Sequence, residues 1–210
     1  MPNMQDIADA LIKGNAKTVA ELCRKAMAEG EQAKDVLDRG LIAGMGVIGR
    51  RFKANQVYVP EVLIAARAMK AGMEVLQPCL TAAGVKPIAT VVLGTVKGDL
   101  HDIGKNLVAM MLNGNGFHVV DAGIDVSAER FADICSGENA SICGMSALLT
   151  TTMTYMRDIV RTVREKNPAV RTMIGGAPLT QAFADEIGAD AYAADAAGAV
   201  DVARELLGIA

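Results

Sequence analysis

Tryptophan is absent from this chain of 210 residues, and four phenylalanines and three tyrosines are its only aromatic side chains. With 51% of its residues hydrophobic it can still bury a sizeable core, which must be aliphatic with methionine as adaptable filler. Histidine is nearly absent too. There are two, His101 and His118, and the four cysteines, Cys23, Cys79, Cys135 and Cys143, form no C-x-x-C pair. This argues against a zinc site and suits buried thiols in a reducing compartment. An excess of positive charge is also missing: 21 Lys and Arg against 24 Asp and Glu give a net charge of −3, which argues against a nucleic-acid partner. No apolar run approaches the roughly 18–20 residues of a membrane span, and Met1 to Gly14 lacks the apolar core of a signal peptide. The expectation is a soluble cytoplasmic protein with neither a nucleic-acid nor a membrane partner.

The patterning changes near residue 80. Before it, everything reads as helix. Ile7 and Leu11 mark a short first helix, and Asn15 can cap a second that carries Val19, Leu22, Cys23 and Ala26 on one face. A third, from about Ala33 to Phe52, has the apolar stripe Leu37, Leu41, Met45, Ile48 and Phe52. Gly40, Gly44, Gly46 and Gly49 lie inside it, each about 1 kcal/mol less favourable than alanine. Either another backbone approaches closely or the helix breaks there. A fourth helix starts at Pro60, an allowed first-turn position, and buries Val62, Ala66, Met69, Met73 and Leu76. Four such helices make a small bundle, expected over residues 1–82. Thr81 to Pro87 reads as a linker.

From residue 87 to 210 strands and helices alternate. Strands are expected at 88–94, 117–122, 140–146, 170–174 and 190–193, and helices at 103–114, 127–136, 151–166, 179–187 and 195–207. The fold class is therefore α/β: an N-terminal four-helix bundle, then a flavodoxin- or Rossmann-like five-stranded parallel sheet with helices on both faces. In such sheets ligands bind beyond the carboxyl ends of the strands, where the strand order reverses. For the order 2-1-3-4-5 that point lies between strands 1 and 3. The loops that follow those strands hold Asp99 and His101, and Ser146 to Thr152.

These loops are chemically unusual. Asp99 stands two residues before His101 and can hold its imidazole in one tautomer, as carboxylates do for metal-bound histidines. Asp102 competes for that role, or simply caps the helix at Ile103. Gly104 follows three residues after His101 and leaves room for something bulky against the backbone. Ser146-Ala147-Leu148-Leu149-Thr150-Thr151-Thr152 has more hydroxyls than a helix cap requires, and Gly175-Gly176 more glycine than a turn requires. His118 opens a strand at the wrong end of the sheet. Phosphate-loop and dinucleotide glycine motifs are absent.

Asp99-x-His101-x-x-Gly104, followed by Ser146-x-Leu148 and Gly175-Gly176, resembles the cobalamin-binding signature of B12-dependent methyltransferases. The stretch from Gly94 to Asn106 is especially similar to the small corrinoid proteins of methanol, methylamine and methoxyarene methyltransferase systems, and to the cobalamin module of methionine synthase. Gly40 to Met45, Val59-Pro60-Glu61 and Ala68-Met69-Lys70 look like the helical cap of the same proteins.

The resemblance implies a cobalamin or related corrinoid bound base-off, with His101 as the ligand of cobalt. It implies a relay through Asp99 and Thr152, where methionine synthase has serine at the latter position. It implies cofactor contacts from Asp102, Ile103 and Gly104, and a buried nucleotide tail at Ser146, Leu148, Thr150, Gly175 and Gly176. On the cap, Val62, Ala66 and Met69 stand where the larger enzymes have an aromatic contact. The implied function is a methyl carrier. It accepts a methyl group on Co(I) from a donor-specific methyltransferase and passes it, as methyl-Co(III), to an acceptor methyltransferase that serves tetrahydrofolate or a thiol. A corrinoid reductive activase is a further implied partner. At 210 residues there is no room for a methyl-transferring barrel of about 250 residues, so the chain is not expected to be an enzyme on its own. The alternatives are the cobalamin subunit of a radical mutase, which would not need residues 1–80, a cobalamin-dependent sensor, which would carry an output module, and a flavodoxin-like interaction domain.

Overall fold

The computed structural model describes residues 3–209. Met1, Pro2 and Ala210, at the ends of the two expected domains, lie outside the described residues. The chain divides into two compact units. One runs to Pro87 and takes in Gly114–Gly116; the other holds Ile88–Asn113 and everything from Phe117 onward.

The first unit is helical. α1 (Met4–Ile12) opens on Asn3, whose side chain accepts the Gln5 N–H at 3.1 Å, and α2 (Ala16–Ala28) opens on Asn15, which accepts the Thr18 N–H at 3.2 Å. Each cap satisfies a donor that the first helical turn leaves free. Next come α3 (Ala33–Asp35), a π-helical stretch (Val36–Ile42) and α4 (Ala43–Lys53), which follow one another without a break because the joining residues keep right-handed helical dihedrals. Two glycines of this rod serve close approach: a Cβ on Gly40 would lie 3.1 Å from Ile7 Cγ2, and one on Gly44 would lie 3.1 Å from the Ala8 carbonyl oxygen. α1 therefore packs directly onto their backbone, and the helix adapts by a π-helical turn instead of breaking. α5 (Val59–Ala82) carries Pro60 in its first turn. It runs past the expected linker start, so Thr81 and Ala82 are helical, and it accommodates Pro78 in its interior at the loss of one backbone hydrogen bond.

The second unit is a five-stranded, all-parallel sheet in the order β2-β1-β3-β4-β5 with helices around it. Its elements are β1 (Thr90–Val96), α6 (Ile103–Gly114), β2 (His118–Val126), α7 (Ala128–Gly137), β3 (Ile142–Ser146), α8 (Thr150–Met153), α9 (Met156–Lys166), β4 (Arg171–Gly175), α10 (Gln181–Ile187), β5 (Ala191–Ala193) and α11 (Ala196–Leu206). β1 and β3 are nearly continuous apolar runs, as strands covered on both faces must be. Scarce aromatics leave a core of small and aliphatic side chains: Val92, Cys143, Met145, Ile159 and Ile174 gather around one fully buried ring, Phe131.

Two elements differ from expectation. β2 extends to Val126 instead of ending near 122, because its pairing with β1 is interrupted by two register shifts and resumes after them. The helix expected over 151–166 is split into α8 and α9 at Thr154-Tyr155. The strand order puts the β1 and β3 loops side by side at the carboxyl edge, where the order reverses.

Candidate functional site

The loop after β1 turns back at Gly98, whose φ of 81° is accessible to glycine without strain. It carries Asp99 to a fully buried position. There the carboxylate meets five donors. Oδ1 accepts the His101 N–H at 3.1 Å and the His101 ring Nδ1–H at 2.7 Å. Oδ2 accepts the Leu148 N–H at 2.8 Å, the Leu149 N–H at 3.4 Å and the Thr152 hydroxyl at 2.8 Å. Burial alone would push this carboxyl up, but the hydrogen bonds from Leu148, His101 and Thr152 outweigh it and hold Asp99 well below the usual carboxylate range.

An ionised Asp99 has only acceptor oxygens, so the proton in the 2.7 Å contact sits on Nδ1 of His101. In the neutral ring, Nε2 on the other side is then left with a free lone pair. The imidazole is half-exposed. Thr95, itself fully buried at the end of β1, donates its hydroxyl to the His101 carbonyl at 2.8 Å and fixes the backbone under the ring.

The result is a single nitrogen donor. Among the described residues no group of three or more His, Cys, Asp and Glu side chains could hold a metal ion. A metal at His101 would have to bring its other ligands with it, as the metal of a macrocycle does. The surroundings suit a broad apolar body. Leu100 is 67% exposed and Ile103 80%, while Leu148 and Leu149 stand exposed on the neighbouring loop. Exposed apolar side chains grouped on polar loops in this way suit a ligand or partner face. Gly104 is open, with nothing within 4 Å of where its Cβ would be.

The other expected site residues divide. Asp102 is not the partner of His101; its carboxylate accepts from Asn106 Nδ2 at 3.0 Å and its carbonyl from the Asn106 N–H at 2.8 Å, in the first turn of α6. Ser146 and Gly175 are cross-strand partners at the carboxyl ends of β3 and β4, close to the Asp99 loop. Thr150 is exposed at the start of α8. Gly176 has a structural reason of its own: at φ 140°, a Cβ there would sit 1.9 Å from the Ala147 carbonyl oxygen, so the approach of two loops already requires glycine. Val62 and Met69 are buried, 0% and 4% exposed, and present no surface as they stand; on the same helix Val59, Leu63 and Ile64 are exposed apolar residues. His118 lies at the amino end of β2, its N–H bonded to the Ala89 carbonyl, away from the site.

Sequence reasoning missed Thr95, Asp125 and the pair formed by buried Lys105 with Asp121. The signal available was the two carboxylates, Asp121 and Asp125, in a stretch that otherwise reads as strand.

Asp99→Asn tests the hub. The amide turns N–H groups toward donors, and each donor left unpaired costs about 1–3 kcal/mol. The native carboxyl titrates below its unfolded value, so its stabilisation is complete above the ordinary carboxylate range near pH ~4 and disappears as pH falls through the native value. Urea midpoints of the two proteins are therefore expected to differ widely at neutral pH and to converge as the pH is lowered below about 4. A gap independent of pH would contradict the ionised hub.

Residues 89–202 match the family described as B12 binding domain, and residues 4–77 match a second family of that description. The chain is 38% identical to a corrinoid protein of Desulfitobacterium hafniense over 213 aligned positions, covering 99% of each. It is 42% identical to the dimethylamine corrinoid protein of Methanosarcina barkeri, covering 97% of each. It superposes on a chain of the methanol:cobalamin methyltransferase complex of Methanosarcina barkeri with a TM-score of 0.87 at 31% identity, over 98% of this chain and 79% of that one. The chain belongs to the B12-binding family of corrinoid proteins.

Proposed function

We propose that this protein is the corrinoid-bearing methyl carrier of a methyltransferase system, holding cobalamin or a related corrinoid base-off through His101. The observation that carries this reading is the lone Nε2 of His101, freed by the Asp99 bond to Nδ1 and set among exposed apolar side chains, with no group of three or more metal-ligating side chains among the described residues. When bound, the cobalt supplies a nucleophile that can take up a methyl group and give it away.

The chain's own part is ligation and proton handling. Asp99 keeps a proton on Nδ1, which makes Nε2 the better donor. Whenever that nitrogen carried no metal it could take up a proton, and the buried Asp99 carboxylate would face the resulting imidazolium. Thr152 shares Oδ2 and links the pair to the partly exposed start of α8. Leu100, Ile103, Leu148 and Leu149 would lie against the macrocycle, and Gly104 would let it approach the backbone. Ser146, Thr150 and Gly175 would flank the nucleotide tail; no hydrogen bond holds the Ser146 or Thr150 hydroxyl among the described residues.

The partners in this reading are a donor-specific methyltransferase, an acceptor methyltransferase and a corrinoid reductive activase. The names of the relatives support the first. A mutase subunit or a sensor is not favoured, since the corrinoid relatives match over nearly the whole of both chains. No helix among the described residues is long and apolar enough to cross a membrane. We place the protein in the cytoplasm, where its four free cysteines would stay thiols.

Two measurements check this. Electron paramagnetic resonance of the cobalt(II) protein, grown with 15N-histidine, is expected to show coupling to one imidazole nitrogen that disappears in His101→Ala; coupling that survives the substitution overturns the ligand assignment. Methylation of the loaded, reduced protein by a free methyl donor, followed by absorbance, is expected to be slow alone and to speed up by at least about a hundredfold with the cognate methyltransferase, because among the described residues no cluster of His, Cys, Asp and Glu could hold a second metal to activate a poor leaving group. Full-rate methylation of the isolated protein would make it an enzyme in its own right.

A further inference from the structure

β2 leaves the regular ladder twice before it reaches the carboxyl edge. Its pairing runs Leu93↔Asp121, Gly94↔Gly123 and Val96↔Val126, so β2 spends two more residues than β1 over the same length. Bulges of this kind re-aim a side chain, and here the residue that gains from it is Asp125. Its φ is 54°, in the left-handed region that non-glycine residues seldom occupy. Such a conformation persists where the surroundings over-determine it.

The surroundings do so from both sides of one peptide. Asp125 Oδ1 accepts the Gly98 N–H at 2.7 Å, and the Asp125 N–H donates to the Asp99 carbonyl at 3.1 Å. Asp125 thereby grips the backbone immediately before and immediately after the Asp99 side chain. Without it the turn would be tied by the Asp99 N–H to the Val96 carbonyl at 3.1 Å and by Thr95 to His101. Neither of those touches Gly98, the residue whose left-handed φ starts the turn.

We propose that Asp125 is a positioning residue for His101: its clamp on Gly98 and Asp99 sets the direction of the Asp99 carboxylate, and through it the direction in which Nε2 presents its lone pair. What Nε2 meets rests on the corrinoid reading above; the clamp itself does not.

Two substitutions separate the clamp from general stability. Asp125→Asn keeps an acceptor oxygen and tolerates the left-handed conformation. Asp125→Gly relieves the backbone but removes the acceptor, so it is expected to fold with an unchanged urea midpoint. In the cofactor-free protein, hydrogen exchange of the Gly98 amide is expected to quicken about tenfold or more in Asp125→Gly and to stay near wild type in Asp125→Asn. In the corrinoid-loaded protein, the single-nitrogen cobalt(II) signal is expected to stay sharp in Asp125→Asn. In Asp125→Gly it should be diluted by a population without a nitrogen ligand. Wild-type exchange at Gly98 in Asp125→Gly, or equal loss of protection in both variants, overturns the proposal. A wild-type protein with no nitrogen on cobalt would defeat the corrinoid reading instead, while the exchange measurement still decides the role of Asp125.

Discussion

A buried carboxylate with five hydrogen-bond donors organises the carboxyl edge of this sheet. Asp99 has no exposure to water, so its charge can persist only because the protein replaces hydration with donors aimed at both oxygens. The five donors come from three parts of the site: the His101 backbone and ring, the two amides after β3, and the Thr152 hydroxyl in α8. The same bonds that pay for the charge therefore hold the β1 loop against the β3 loop and choose the tautomer of the imidazole. If any one contact moved, the others would have to accommodate the change.

The strand order makes this possible. β1 and β3 are neighbours while their helices leave in different directions, so the loops after them meet in a crevice. Asp99 spans that crevice to reach Leu148, 49 residues away in the chain. Thr95 at the last turn of β1 and the bulged end of β2 then stiffen the loop from below. The helical unit is built by other means, with bare backbone at Gly40 and Gly44 letting α1 pack directly on the long helix. Those two glycines serve packing, whereas Gly104, in the first turn of α6, has nothing within 4 Å of where its Cβ would be.

Much of this was legible in the sequence. Alternating apolar runs and breakers located every strand and the strand-helix order, and the Asp-x-His spacing placed a carboxylate within reach of the ring. The pairing of Asp99 with Thr152 is a contact across 53 residues that periodicity cannot supply. It entered only through the family resemblance. What stayed hidden were features that depend on three-dimensional register. The bulges that carry Asp125 to Gly98 have no composition of their own. The close approach of Gly176 to Ala147 looks, in sequence, like room for a ligand. Val62 and Met69 follow a helical stripe, but a stripe marks the buried face, so the residues free to touch anything are the ones beside it, Leu63 and Ile64.

The central claim is that the protein, before any cofactor arrives, already holds His101 with its proton on Nδ1 and a bare Nε2. Nitrogen NMR of the cofactor-free protein labelled at histidine reads this directly at a pH where the ring is neutral. The account predicts a protonated, pyrrole-type Nδ1 and an unprotonated, pyridine-type Nε2 for His101. The opposite tautomer, or an even mixture of the two, would contradict it.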